Sequence, residues 1–220
     1  MMPDTPISLR TLGDRSPMRE ILYHLRWSVP LWLVQLCTAW LPGNRYTTRL
    51  RGALARPFVG KCGKRFCLGK GVSLIGTSEL QIGDDVYIAR DCFLNCAGGL
   101  VLEDGVVLGP FVVLSTMQCV FARGMVRHDQ VIVHPIRIGR GSWLAAHAVV
   151  KAGVRIGAGV MIGGNSAVVK DIEDHVLAAG VPAKVIGPVK ERTPDASRII
   201  DHLRDRRRAE APPDQGSLAA

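Results

Sequence analysis

Between Pro135 and Asp171 the chain repeats itself every six residues. Ile138, Leu144, Val150, Ile156, Ile162 and Val168 are all aliphatic, and the position four later holds Ser142, Ala148, Val154, Val160 or Ser166, each small or β-branched. Gly follows the aliphatic at Gly139, Gly157 and Gly163. A period of six matches neither the 3.6 of a helix nor the 2 of a strand. It is the pattern of a parallel β-helix, in which each hexad makes one short strand and a turn, and three hexads close a triangular coil. The aliphatic points inward, and Gly or Asn suits the corner, where φ can be positive. Six consecutive hits in register argue against a chance Val- and Gly-rich buried strand.

The same register extends upstream. It begins near Phe58 with Leu68 and Leu74, slips, restarts at Ile82, Ile88 and Leu94, slips again over Cys96–Leu100, and continues at Leu102, Leu108 and Leu114, with Val106 and Val112 at the small position. From Leu114 to Ile138 there are 24 residues, four hexads in length, yet the intervening sequence has no hexad pattern. A non-periodic insert in a solenoid maps to a protruding loop, here 115–135, and such loops carry function. The domain expected is 58–189, with an N-terminal segment 1–57 and a tail 190–220.

Composition narrows the class. Hydrophobic content of 47% with only 5% aromatics predicts an aliphatic core, and 24 Gly suit a turn-rich solenoid. The net charge of +9 fits an anionic partner such as a nucleotide-bearing co-substrate or a phospholipid surface. No aromatic-plus-basic nucleic-acid motif is visible. The six cysteines form no C-x-x-C pair and no zinc spacing, so free reduced thiols are expected. Cys92 falls on a hexad small position and reads as a buried thiol.

Residues 1–17 are Pro- and polar-rich, lack the order of a signal peptide, and are expected to be mobile. Residues 18–41 are apolar enough to suggest a membrane span, but His24, Arg26 and Pro30 argue against one. Two helical pieces joined at Ser28–Pro30 are expected, an amphipathic element lying on the β-helix flank, a neighbouring subunit or a bilayer interface. Arg45, Arg49, Arg51 and Arg56 follow. The tail opens with a charge-dense run, in which Ile199, Ile200 and Leu203 suit a short helix, and is expected to fray beyond Arg208.

The run from Ile138 to Ile172, with the later Ala178-Ala179-Gly180-Val181-Pro182-Ala183-Lys184, resembles the C-terminal half of hexapeptide-repeat acyltransferases. It is most similar to the sugar O-acetyltransferases of the maltose, galactoside and exopolysaccharide types, over roughly Phe58 to Val189. The resemblance implies a left-handed parallel β-helix, a homotrimer, and acetyl-CoA as co-substrate in the groove between subunits, with no permanently bound cofactor or metal. It places Trp143 at the thioester, Ala146 and Gly164 where backbone touches the pantetheine arm, and Lys170 and Lys184 toward the CoA phosphates. The implied function is O-acetyl transfer to a sugar or polysaccharide-precursor hydroxyl. The expected location is the cytoplasm, with peripheral contact at the inner membrane face open to the 18–41 element. A zinc-dependent enzyme of the same fold is set aside, because the six histidines form no obvious ligand triplet.

Two acceptor-side positions depart from the family. The position of its general-base histidine falls on Cys119, after Gln118, and an acceptor-contacting Asn position falls on Ala89, with Asp91 the nearest polar residue. Three explanations compete. The base is relocated, with His128 leading and His134 and His147 as alternatives. Or Cys119 is a nucleophile, given a cation that lowers its pKa. Or the chain is a catalytically impaired homologue, a CoA-binding or membrane-surface scaffold subunit.

Overall fold

A computed structural model describes residues 8–11 and 16–190. Strand β1 (Ser8–Thr11) is followed by helices α1 (Pro17–Tyr23), α2 (Val29–Thr38) and α3 (Arg45–Ala55). Then the coils begin. The first holds β2 (Lys61–Cys62), β3 (Cys67–Leu68) and β4 (Ser73–Ile75), and the second β5 (Leu80–Ile82), β6 (Tyr87–Ile88) and β7 (Phe93–Asn95). The third holds β8 (Leu100–Leu102), β9 (Val107–Leu108) and β10 (Val113–Ser115). A hairpin, β11 (Met117–Ala122) and β12 (Met125–Val133), interrupts the winding. It resumes with β13 (Ile136–Ile138), β14 (Trp143–Leu144) and β15 (Val149–Val150), then β16 (Arg155–Ile156), β17 (Met161–Ile162) and β18 (Ala167–Val168). β19 (Val176–Ala179) and β20 (Lys184–Pro188) close the end.

Strands stack into three faces, β2-β5-β8-β13-β16, β3-β6-β9-β14-β17-β19-β20, and β4-β7-β10-β15-β18, parallel throughout except for the β19–β20 pair. The hexad aliphatics form the inner columns. Leu68, Ile88, Leu108, Leu144 and Ile162 line the second face and Leu94, Leu114, Val150 and Val168 the third, all buried. Each fully buried Leu or Ile contributes about 1.5–3 kcal/mol. At the small position, the Ser142 hydroxyl donates to the Gly157 carbonyl (2.7 Å) and accepts from the Val160 amide (3.0 Å), so its burial leaves no unpaired polar atom.

The two register slips and the insert share one cause. Leu74 to Ile82 and Leu94 to Leu102 both turn the corner from the third face to the first. Leu114 to Ile138 turns the same corner, and the added length leaves as the hairpin. The winding resumes on the next face, as four hexads would also require. The expected loop 115–135 is thus largely β-structure. The expectation of a mobile 1–17 needs correction at 8–11, since β1 pairs antiparallel with β12 from Ser8↔Val133 to Thr11↔Gln130 and completes a sheet β1-β12-β11. The open edge of β12 offers unpaired backbone groups that β1 satisfies. The tail from residue 191 lies outside the described residues.

Helix α1 passes into α2 through a π turn, His24–Ser28, in which the Val29 amide reaches the His24 carbonyl five residues back. Pro30 has no N–H to offer, and the wide turn absorbs that loss one turn before the expected junction at Ser28–Pro30. Among the described residues no helix is long and apolar enough to cross a membrane. Helix α3 starts with a capping box: the Asn44 side chain accepts from the Tyr46 and Thr47 amides, while Thr47 Oγ1 accepts from the Asn44 amide. It turns Thr48, Arg51, Gly52 and Ala55 inward against the first coil.

Candidate active site

Helices α2 and α3 lean over the corner between the second and third faces and enclose a cavity of about 880 Å³, with Trp32, Arg51, Lys70, Tyr87, Asp91 and Trp143 in its walls. The corner is narrow because Gly69, Ala89 and Gly109 stack one above another. A Cβ on Gly69 would come within 2.5 Å of the Arg90 amide nitrogen, so the wall there is backbone. Beneath it Arg51, 1% exposed, donates from Nε to Thr38 Oγ1 (3.0 Å), from Nη2 to the Thr38 carbonyl (3.1 Å) and from Nη1 to the Leu68 carbonyl (3.2 Å). This guanidinium caps the end of α2 and ties it to the first coil. Burial works against its charge and pulls its pKa down, and no carboxylate reaches it among the described residues.

The same corner presents a ladder of side chains on left-handed backbone: Asp91 (φ 56°), Phe111 (60°), His147 (60°) and Asn165 (55°). The rung below is Gly71, at φ 72°, where a Cβ would overlap the Asp91 carboxylate. Asp91 accepts from Arg90 Nε at 2.7 Å, Arg90 lies 5.8 Å from the Phe111 ring centre, and Phe111 stacks on His147 with centroids 4.8 Å apart and planes 7° from parallel. Asp, Asn and His are enriched in this conformation, and His175 holds another corner the same way (φ 59°), so backbone demand accounts for His147.

Above the cavity the corner becomes a shelf. The Asn165 amide donates to the Ala146 carbonyl (3.0 Å), and a Cβ on Gly164 would meet only that carbonyl, at 3.3 Å. Trp143, 43% exposed, lies beside this shelf between Val107 and Met161. Lys170 and Lys184 are both exposed. The hairpin carries the remaining candidates. Cys119 pairs with Val131 and Val120 with Arg127, so residues 128–130 of β12 have no partner on β11 and the pairing is irregular at Cys119. His134 lies at the hairpin base, packed under Gly153, its amide donating to the Thr116 carbonyl (2.9 Å).

A family profile described as "Bacterial transferase hexapeptide (six repeats)" matches residues 135–170. The chain is 33% identical over 116 residues to the galactoside O-acetyltransferase of Escherichia coli (strain K12), covering 57% of that protein. It is 32% identical over 156 residues to the protein named colanic acid biosynthesis acetyltransferase WcaF of the same organism, 70% of this chain and 83% of the relative. The chain belongs to the hexapeptide-repeat acetyltransferases. A solved galactoside acetyltransferase in complex with coenzyme A superposes with a TM-score of 0.71 at 25% identity, covering 83% of this chain and 87% of that one.

Within this acetyltransferase the sequence candidates separate into three places. Trp143, Ala146 and Gly164 gather at the shelf, and Asp91 and Ala89 line the cavity, where the Ala89 methyl group offers no hydrogen bond. Cys119 lies on the hairpin, outside the lining of the cavity, and His128 belongs to the facing strand β12. Trp32, Gln35, Arg51, Lys70 and Tyr87 were missed as cavity residues. The one sequence signal for them is Gly69-Lys70-Gly71, a small-residue corner in register with Ala89-Arg90-Asp91.

The thiols divide by burial. Burial pushes Cys62 and Cys92 up to about 11 and Cys96 up to about 12, whereas Cys37 and Cys119 are exposed. A thiol reacts as its thiolate. Brief alkylation of the folded protein followed by peptide mass spectrometry should therefore label Cys37 and Cys119 and leave Cys92 and Cys96 unmodified until denaturant is added.

Proposed function

We propose that this acetyltransferase moves the acetyl group of acetyl-CoA to a hydroxyl of a sugar, within a glycoside or a precursor of a cell-surface polysaccharide. The observation that carries this reading is the adjacency of the shelf at Ala146 and Gly164 to a saccharide-sized cavity, with Trp143 belonging to both. Small residues on the shelf leave backbone groups open to a pantetheine arm, and Lys170 and Lys184 supply point charges for CoA phosphates. Asp91, held by Arg90, accepts an acceptor hydroxyl. A base removes the proton from the reacting hydroxyl, whose oxygen attacks the thioester carbonyl. The C–S bond breaks, and CoA leaves as the thiol once its sulfur regains a proton. We assign the base to His128. Bulges re-aim side chains and recur beside active sites.

On this reading the enzyme works as a homotrimer on the cytoplasmic side. The outward positions of the third face, among them Phe93, Val149 and Val169, are apolar and exposed, as a subunit contact requires. The scaffold alternative is not favoured, since the relatives on both sides are named as acetyltransferases.

Calorimetry with CoA is the first test, and absence of heat at saturating CoA would remove the cofactor assignment. Lys170→Ala and Lys184→Ala should each weaken CoA about tenfold, the loss of one charge-assisted phosphate contact. The second test is CoA thiol release with a panel of sugar acceptors. Release that no acceptor stimulates would return the scaffold reading.

A further inference from the structure

The N-terminal helices are apolar on two opposite sides. One side is turned inward, with Tyr23, Trp27 and Val34 half-buried and Leu31 and Thr38 buried, Leu31 within the core of the coils. The other is solvent-exposed: Met18, Leu22, Leu25, Val29, Trp32, Leu36 and Trp40 recur every three or four residues, with Trp32 60%, Leu36 48% and Trp40 88% exposed. Helix α3 continues the pattern with exposed Tyr46, Leu50 and Leu54. A helix packed on one side does not need a second apolar face for folding, and such a face marks a contact with something else. The charges around it are one-sided. Residues 16–60 carry five exposed arginines, Arg19, Arg26, Arg45, Arg49 and Arg56, beside the buried Arg51 and against the single acid Glu20. An exposed apolar row beside arginines, in a segment without a spanning helix, has the chemistry of an element lying in an anionic bilayer surface. Trp32 and Leu36 belong both to this row and to the cavity wall.

We propose that residues 18–54 seat the enzyme on an anionic lipid bilayer, and that the cavity takes its saccharide from that surface, as a lipid-linked glycoside rather than a free sugar. The membrane seat stands independently of the acetyl-transfer reading. The acceptor class rests on it.

The test uses the full-length protein and sedimentation with vesicles of phosphatidylglycerol and phosphatidylcholine. The wild type should sediment with these and far less with phosphatidylcholine alone. Leu22→Glu combined with Leu25→Glu, exposed positions away from the cavity, should weaken vesicle binding at least tenfold with unchanged melting temperature. Arg45→Gln and Arg49→Gln should each weaken it about fivefold, and added salt should do the same. The glutamate variant should keep wild-type release of CoA with a soluble glycoside and lose it selectively with a lipid-linked glycoside in vesicles. Wild type that stays in the supernatant with anionic vesicles overturns the membrane seat. So does a glutamate variant that binds vesicles normally, or that dissociates into smaller species by light scattering, since the row is then a contact between copies of this chain. Normal vesicle binding with no transfer to any acceptor leaves the seat standing and overturns the acetyl-transfer reading, and the acceptor assignment with it. Equal activity on lipid-linked and soluble glycosides, unaffected by the glutamates, also overturns that assignment.

Discussion

Replacing Gly52 with alanine should lower the melting temperature of this acetyltransferase and open its cavity. In an exposed helix the same change is favourable by about 1 kcal/mol. Here helix α3 lies so close to the first coil that a Cβ at residue 52 would overlap the Phe66 carbonyl oxygen and stand 2.7 Å from its carbon and 3.2 Å from Cys67 Cα. These are backbone atoms of a coil stacked on the next one, so they cannot rotate away as a side chain would. Overpacking of this kind costs about 1–3 kcal/mol, and more where backbone must move. A net loss of about 2 kcal/mol corresponds to roughly 4–8 °C in a chain of this size. The displaced helix carries Arg51 with it, so the link from Thr38 to Leu68 breaks and the acceptor side suffers first. CoA affinity should persist, because the shelf belongs to coils that α3 does not touch. Gly43→Ala, where an added Cβ meets nothing within 4 Å, is the matched control. Calorimetric scanning decides: a higher melting temperature for Gly52→Ala would show that helix propensity prevails and that α3 is loosely seated.

Removing the proposed base should have the largest effect on turnover. His128→Ala should reduce kcat by about 10²–10⁴, the usual contribution of general-base catalysis, while leaving CoA affinity unchanged. His147→Ala should change turnover little, since its ring is explained by a corner of the winding and its stack on Phe111. Cys119→Ser separates the remaining idea. The serine keeps the size and the pairing with Val131 but cannot form an acyl-thioester. Acetyl transfer that survives His128→Ala and vanishes in Cys119→Ser would replace the base with a covalent route, detectable as an acetylated Cys119 peptide by mass spectrometry. A large loss in His147→Ala would instead move the base from the hairpin to the corner ladder.

The inner columns were legible residue by residue because each inward position sees the same surroundings one coil up and one coil down. Leu108, Leu144 and Ile162 needed only their spacing to be placed. The hairpin was legible as an interruption but not as a sheet. Its third strand comes from Ser8–Thr11, more than a hundred residues away, and no local pattern announces that pairing. Cys119 and His128 were legible as two candidates of one aperiodic insert, nine positions apart. The pairing between their strands is irregular because β12 has residues 128–130 where β11 has none.

The cavity was the part least open to sequence reasoning. Asp91 could be singled out, but Trp32, Arg51 and Lys70 could not, because their common wall exists only once α2 and α3 dock. That docking depends on single, unrepeated contacts: the missing Cβ of Gly52, the guanidinium of Arg51 on Thr38 and Leu68, and Gln35 Nε2 donating to the Val72 carbonyl at 2.8 Å. The amino-acid sequence alone determined the winding and the shelf, since both follow from a short period in which near neighbours share one geometry. Only the tertiary structure decided where the cavity is and which helix face remains open to solvent, since those depend on contacts between segments that share no period.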